Sequence, residues 1–210
     1  MTVPKTAPAK KPSRIQLRNR KKILDAALEV FSTHGYRGAT LDQIADHAGL
    51  SKPNILYYFD GKEAIHVTLL NKLMETWLDP LHDMNPDGEP LEEICAYVRR
   101  KAQMSREFPR ESRLFANEIL QGAPRMGPHL KSDLKPLFDE KTKVIQGWMV
   151  AGKINQVDPR HLMFSIWATT QHYADFEAQV SVLTPDETDI LTSAETYLDT
   201  LFRNLLGPRS

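Results

Sequence analysis

Apolar residues recur along this chain at three- and four-residue steps, and the two-residue alternation of a strand is nearly absent. Ile23, Ala26, Ala27, Val30 and Phe31 keep the spacing of an amphipathic helix, which His34-Gly35 is expected to end. Thr40-Leu-Asp-Gln43 has the form of a capping box, opening a short second helix that buries Leu41, Ile44, Ala45 and Ala48. Gly49-Leu50-Ser51 reads as a tight turn, with Ser51 capping a third helix through Tyr57. Asp60-Gly-Lys-Glu63 repeats the capping logic for a long fourth helix. Two short helices joined by a tight turn thus follow a longer first one.

Pro and Gly punctuate the remainder at Pro86-Asp-Gly-Glu-Pro90, Gly122-Ala-Pro124, Gly127-Pro128, Gly152, Asp158-Pro159 and Thr184-Pro185. Helices are predicted between them near 91–107, 110–121, 131–151, 159–180 and 186–205. Leu162-Met-Phe-Ser-Ile-Trp-Ala168 is apolar around much of its circumference, so most of its faces need cover. Leu191, Ala194, Leu198, Leu201 and Leu205 form a stripe suited to a seam with a partner helix. The expected fold class is all-α.

Charge adds an asymmetry to this picture. The 210-residue chain carries 27 basic and 27 acidic residues, yet residues 1–62 hold 11 basic against 5 acidic and the rest 16 against 22. That split suggests an anion-binding front with a different task behind it. Residues 1–13, rich in Pro and Lys, are expected to be a disordered basic tail. A DNA-binding domain is expected over 14–65, and a ligand-binding and dimerisation domain over 66–207. One cysteine, Cys95, excludes an internal disulfide framework and any multi-cysteine metal site, and it is expected to be a buried small hydrophobe. No stretch reaches the ~18 apolar residues of a membrane span, and a cytoplasmic protein is the simplest expectation.

A helix-turn-helix unit lays its second helix in the major groove of DNA. Here that helix starts at Ser51-Lys52-Pro53-Asn54, with Ile55, Leu56 and Phe59 expected to face inward. Lys52, Pro53, Asn54, Tyr57 and Tyr58 are left toward the groove. Asn54 has the bidentate geometry for adenine, and Pro53 can touch a thymine methyl. The Tyr57 and Tyr58 hydroxyls, Lys62 and the Thr40 cap can reach phosphates, which position a protein without specifying sequence.

Residues 18–66 resemble the N-terminal domain of the tetracycline-repressor (TetR) family. Ile23-Leu-Asp-Ala-Ala27, Phe31, Gly35-Tyr36, Thr40, Ile44-Ala45, Ala48-Gly49, Ser51-Lys52, Leu56-Tyr-Tyr-Phe59 and Lys62-Glu63 agree with it in one register. The resemblance implies a TetR-like fold, a three-helix DNA-binding domain followed by a larger helical domain. It also implies a homodimer that binds palindromic operator DNA and is released by a small molecule. Thr40, Ser51, Lys52, Tyr57, Tyr58 and Lys62 correspond to DNA-contacting positions of that family.

Candidate ligand contacts are polar or aromatic groups that interrupt apolar faces of the second domain: Trp77, Tyr97, Lys101, Glu118, Trp167 and Gln171, with Phe115, Asn117 and Trp148 beside them. Trp167 and Gln171 are i, i+4 neighbours and project from one helix face. A Gln amide between aromatic walls complements the edge of a planar amide or imide such as a pyrimidine. Asp139-Glu-Lys-Thr, Gln146-Gly-Trp148, Val157-Asp-Pro-Arg-His-Leu162 and Ile166-Trp-Ala-Thr-Thr-Gln171 resemble, within the same family, regulators of pyrimidine utilisation. That likeness implies uracil or thymine as the small-molecule effector that releases DNA; no cofactor or metal is expected.

Two other classes compete. An enzyme would need a motif such as a phosphate-binding glycine loop, a GxSxG elbow or an HExxH pair, and none occurs. His172 and Asp175 stand at helical contact spacing, and a helix-surface or interface pair is the expected account of them. A non-specific architectural DNA-binding dimer would show no small-molecule response, and a TetR relative with another effector would answer a different molecule.

Overall fold

The computed structural model describes residues 13–187 and 189–207. The basic tail expected over 1–13 therefore lies, apart from Ser13, outside the described residues. Among the described residues the structure is helical and has no strand. The chain divides into two compact units, Met1–His66 and Val67–Ser210.

In the first unit, α1 spans Arg14–Gly38, α2 Leu41–Ala48 and α3 Lys52–Tyr58, and the unit closes on the start of α4, Lys62–His82. Ser13 caps α1 through a full capping box with Gln16, so the residue assigned to the tail belongs to the helix end. Gly35 does not stop α1. Its φ of +65° and ψ of 173° break the helix, which resumes for one short turn before Ala39. A residue with a Cβ would be strained there. Thr40 accepts from Gln43 N at 3.2 Å while Gln43 Oε1 accepts from Thr40 N at 2.8 Å, the reciprocal box expected. Gly49 ends α2 in the left-handed region. Ile23, Ala27, Phe31, Ile44, Ile55 and Ile65 are fully enclosed and hold the helices together.

The second unit holds α5 (Pro90–Glu107), α6 (Pro109–Leu120) and the single turn α7 (Gly127–His129). A π-helical stretch, Leu130–Leu134, runs into α8 (Lys135–Val150), and α9 (Pro159–Asp175), α10 (Glu177–Leu183) and α11 (Ile190–Leu206) follow. α5 lies between α9 and α11, and α9 also packs on α6 and α8. Ile94, Val98, Ile145, Met163, Ile166, Leu198 and Phe202 form the centre of its core. Asp158 caps α9 by accepting from Arg160 N at 2.8 Å, with Pro159 in the first turn.

Three expectations need correcting. The helix predicted over 159–180 ends at Asp175 and restarts at Glu177, because Phe176 (φ −113°, ψ 29°) leaves helical geometry without any Gly or Pro to mark it. Phe164, within the apolar run of α9, is half-exposed, so this face is not covered within one chain. The leucine stripe of α11 is split: Ala194 and Leu198 are buried with Phe202 and Leu206 inside the unit, while Leu201 and Leu205 face outward. Steps of four from 194 stay on the inner face, and 201 and 205 sit one position short of it.

Candidate functional site

The two short helices of the first unit present a polar end. Lys52, Pro53 and Asn54 are exposed at the start of α3, where Ser51 Oγ accepts from Asn54 N at 3.4 Å. Tyr57 is 71% exposed. Its hydroxyl accepts from Gln16 Nε2 at 3.3 Å, and the Tyr58 hydroxyl accepts from Asn19 Nδ2 at 3.1 Å. Arg20 lies 4.3 Å from the centre of the Phe59 ring. α1 therefore braces both tyrosines, through Gln16 and Asn19, which the sequence reading did not single out. Lys52 Nζ pairs with Asp42 at 3.0 Å across the turn, and with both side chains exposed the pair opens at little cost. The first turn of α1 holds no acidic residue and is followed by exposed Arg18, Lys21 and Lys22. These charges, together with the positive N-terminal end of α1, favour an outside anion.

Two residues of this unit are held differently from a simple reading of their positions. Leu56 is half-exposed, because a seven-residue helix has room for Ile55 and the following Phe59 against the core but not for their neighbour. Lys62 is not a free arm. Its Nζ donates to the Tyr36 and Ala39 carbonyls, each at 2.7 Å, and sits 4.5 Å from the Tyr36 ring centre. It thereby holds the frayed end of α1 against the start of α4.

In the second unit, five of the six candidate ligand residues meet around one cavity of about 70 Å³. Trp77, Tyr97, Lys101, Trp167 and Gln171 line it, with Met74, Leu78, Leu81, Phe115 and Leu134 as its apolar wall. α4, α5 and α9 bring the polar groups together. Trp167 Nε1 donates to the Tyr97 hydroxyl at 2.7 Å. Gln171 is oriented so that its amide oxygen accepts from Trp77 Nε1 and its nitrogen donates to the Trp167 carbonyl, both at 3.3 Å. Lys101 is buried with its Nζ 4.9 Å from the Trp77 ring centre. Burial pushes its ammonium down to about 7, against the weaker opposing field of Asp175. Leu134, at the end of the π-helical stretch, could not be foreseen, since nothing in its neighbours marks that winding.

Glu118 does not line the cavity. It is buried under the turn after α6, where its Oε1 accepts from Arg125 N at 2.6 Å and Met126 N at 3.2 Å. It is a loop clamp, as a buried carboxylate with two backbone donors should be. Trp148 donates to the Pro86 carbonyl at 3.0 Å and belongs to the core. Asp175 accepts from Ser112 Oγ at 2.6 Å, and His172 stacks on Phe176, so the pair forms no acid–base couple. Cys95 is buried, and desolvation pushes its thiol up to about 11. No metal cluster occurs among the described residues, and no described helix is long and apolar enough to cross a membrane.

A capped helix-turn-helix unit followed by a helical unit with a cavity among its helices is the architecture against which the comparisons are set. Residues 23–67 match the model for bacterial regulatory proteins of the tetR family, and residues 70–208 match the YcdC-like protein C-terminal region. The chain belongs to the TetR family and is a transcriptional regulator with a DNA-binding helix-turn-helix. Among curated relatives it is 48% identical over 174 residues to the HTH-type transcriptional regulator RutR of Escherichia coli (strain K12), covering 83% of this chain and 82% of that one. It is 41% identical over 69 residues to SrpR of Pseudomonas putida, covering 32% and 30%. A transcriptional regulator of Streptomyces coelicolor superposes with a TM-score of 0.70 at 21% identity, covering 91% of this chain and 99% of that one. AibR in complex with isovaleryl coenzyme A and operator DNA gives 0.69 at 18% identity, covering 91% and 100%. Both share the fold.

Proposed function

We propose that the protein is a cytoplasmic repressor that binds palindromic operator DNA as a homodimer and is released by a pyrimidine such as uracil or thymine. The observation that carries the effector is the cavity. Its volume of about 70 Å³ is far below the ~300–1,000 Å³ of sites for drug-sized ligands, so a single small ring suits it and a coenzyme A thioester does not. Trp77 and Trp167 offer indole faces for stacking, and the Gln171 amide offers a donor and an acceptor along one line. The 48% identity to RutR supports the same reading.

On the DNA side, Asn54 and Pro53 read base edges, and Lys52, Ser51, Thr40, Tyr57 and Tyr58 meet phosphates or sugars. The outward Phe164, Tyr197, Leu201 and Leu205 of α9 and α11 supply the apolar surface for a second copy. A two-fold dimer places its two α3 helices about one duplex turn apart, ~34 Å. The ligand acts by binding more tightly to a state in which that spacing is lost, since equal affinity for both states shifts nothing. α4 carries Trp77 and is continuous in the chain with the segment that follows α3, so it links the two tasks covalently.

Thermal unfolding with and without uracil, thymine and cytosine, on the wild type and Gln171→Ala, tests the effector. A ligand at 100 times its Kd stabilises the native state by ~2.7 kcal/mol. A shift with uracil or thymine that the variant loses is expected. No shift with any base would overturn the pyrimidine reading and leave the regulator class intact.

A further inference from the structure

The polar groups of the cavity are unequally provided for. Trp77, Gln171, Trp167 and Tyr97 hydrogen-bond to one another or to a carbonyl. Lys101 does not. Only 3% of it is exposed, and among the described residues its Nζ has no hydrogen-bond acceptor or ion-pair partner. The charged and titratable groups around it can be named element by element. From α4 it meets the face of Trp77, and on α5 itself lie Tyr97, whose oxygen is engaged by Trp167, and Arg100, which repels it. From α9 it feels Asp175, which does not pair with it and instead accepts from Ser112 of α6. The carboxylate of Asp175 also faces Arg113 and His172. Phe115 of α6 and Leu134 of the π-helical stretch complete the wall without polar atoms.

An amine with three donor sites and no acceptor among the described residues is costly to bury, and Lys101 lines the cavity, from which an acceptor can come. We infer that Lys101 selects the ligand by donating to a ring carbonyl oxygen, and that ligand binding draws a proton onto its Nζ. The inference rests on the pyrimidine reading and sharpens it. The ligand is a planar ring with two functions, an amide edge for Gln171 and a second carbonyl oxygen for Lys101. Uracil and thymine carry both. A ring that offers an amino group in place of the second carbonyl sets donor against donor. Burial holds Lys101 largely neutral above pH 7, and a carbonyl contact would stabilise the ammonium. Binding therefore takes up a proton above neutrality, and affinity falls as pH rises.

Calorimetric titration of the full-length protein with uracil and cytosine, at pH 6.5 and 8.5 in buffers of different ionisation enthalpy, reads this directly. Uracil affinity is expected to be about tenfold or more weaker at pH 8.5, with uptake approaching one proton there. Lys101→Met, which keeps the apolar stem, should remove both the proton uptake and the pH dependence and weaken uracil binding at pH 6.5 by about tenfold. Its melting curve serves to confirm folding. Uracil binding that ignores pH, takes up no proton and survives Lys101→Met would overturn the role of Lys101 alone. No binding by either base at either pH would overturn the pyrimidine reading and this inference with it.

Discussion

Lys62 Nζ and the Ala39 carbonyl oxygen lie 2.7 Å apart, with the Tyr36 carbonyl at the same distance from the same ammonium. One side chain thus closes the segment left open when Gly35 breaks α1. Lys62→Met should destabilise the first unit by about 1.5–3 kcal/mol, the range for hydrogen bonds to a charged group. Operator affinity should fall with it, but the dependence on salt should keep its slope. Urea unfolding and operator titrations at several salt concentrations separate the two effects.

Lys52 should behave in the opposite way. It is exposed and held only by a surface pair with Asp42. Lys52→Ala is expected to leave stability within about 0.5 kcal/mol and to lower the slope of log affinity against log salt by about 1, the signature of one lost phosphate contact. An unchanged slope would remove Lys52 from the DNA surface.

The turn after α6 depends on Glu118. Glu118→Gln keeps one acceptor for Arg125 N and Met126 N but loses the charge that strengthens both bonds and pairs with the Arg125 guanidinium. A loss of about 1–3 kcal/mol in stability is expected, with ligand affinity unchanged in the folded variant. Chemical denaturation and ligand titration at low denaturant would show it. A selective loss of ligand binding would return Glu118 to the cavity.

Tyr97→Phe removes the acceptor of Trp167 Nε1 while keeping the ring. The indole N–H is then left without its partner inside the unit, at a cost of about 1–2 kcal/mol. Trp167 fluorescence should also shift as the ring loses its anchor. Comparing melting curves and emission with those of the wild type is sufficient.

Lys101 also predicts a pH dependence in the absence of ligand. Its folded pKa, near 7, lies below the unfolded value of about 10.5. Between these values the unfolded chain binds more protons, so the Lys101 contribution makes stability rise with pH through this window. Between pH 7 and 9 wild-type stability should gain on Lys101→Met by up to about 1.4 kcal/mol per pH unit, since the Cys95 thiol, raised in the folded state, contributes equally to both proteins. A constant difference between the two proteins would contradict the buried, unpaired state of the amine.

The helix-turn-helix was legible because its signals are local. A capping box at Thr40, a left-handed Gly49 and a Ser51 cap with Pro53 behind it fix three boundaries within 14 residues. The break at Phe176 and the π-helical stretch at Leu130–Leu134 had no such marks, since tertiary packing rather than propensity sets them. In the cavity, Trp167 and Gln171 could be paired from their spacing on one helix. Their meeting with Trp77 and Tyr97 joins residues 70 or more positions apart in the chain, which periodicity cannot address. Lys62 and Glu118 share one property that local sequence does not show. A charged side chain near a candidate site reads as functional, yet each is spent on backbone groups that only the folded chain brings within reach.

Gln171 enters the cavity with both ends of its amide already engaged, by Trp77 and by the Trp167 carbonyl. Each end keeps one further hydrogen-bonding site, a second lone pair and a second N–H, so a ring in the proposed site can add to this amide while Trp77 and Trp167 hold it in place. The recognition edge of the proposed site is thus set before any ring arrives, and an entering molecule loses little in ordering it.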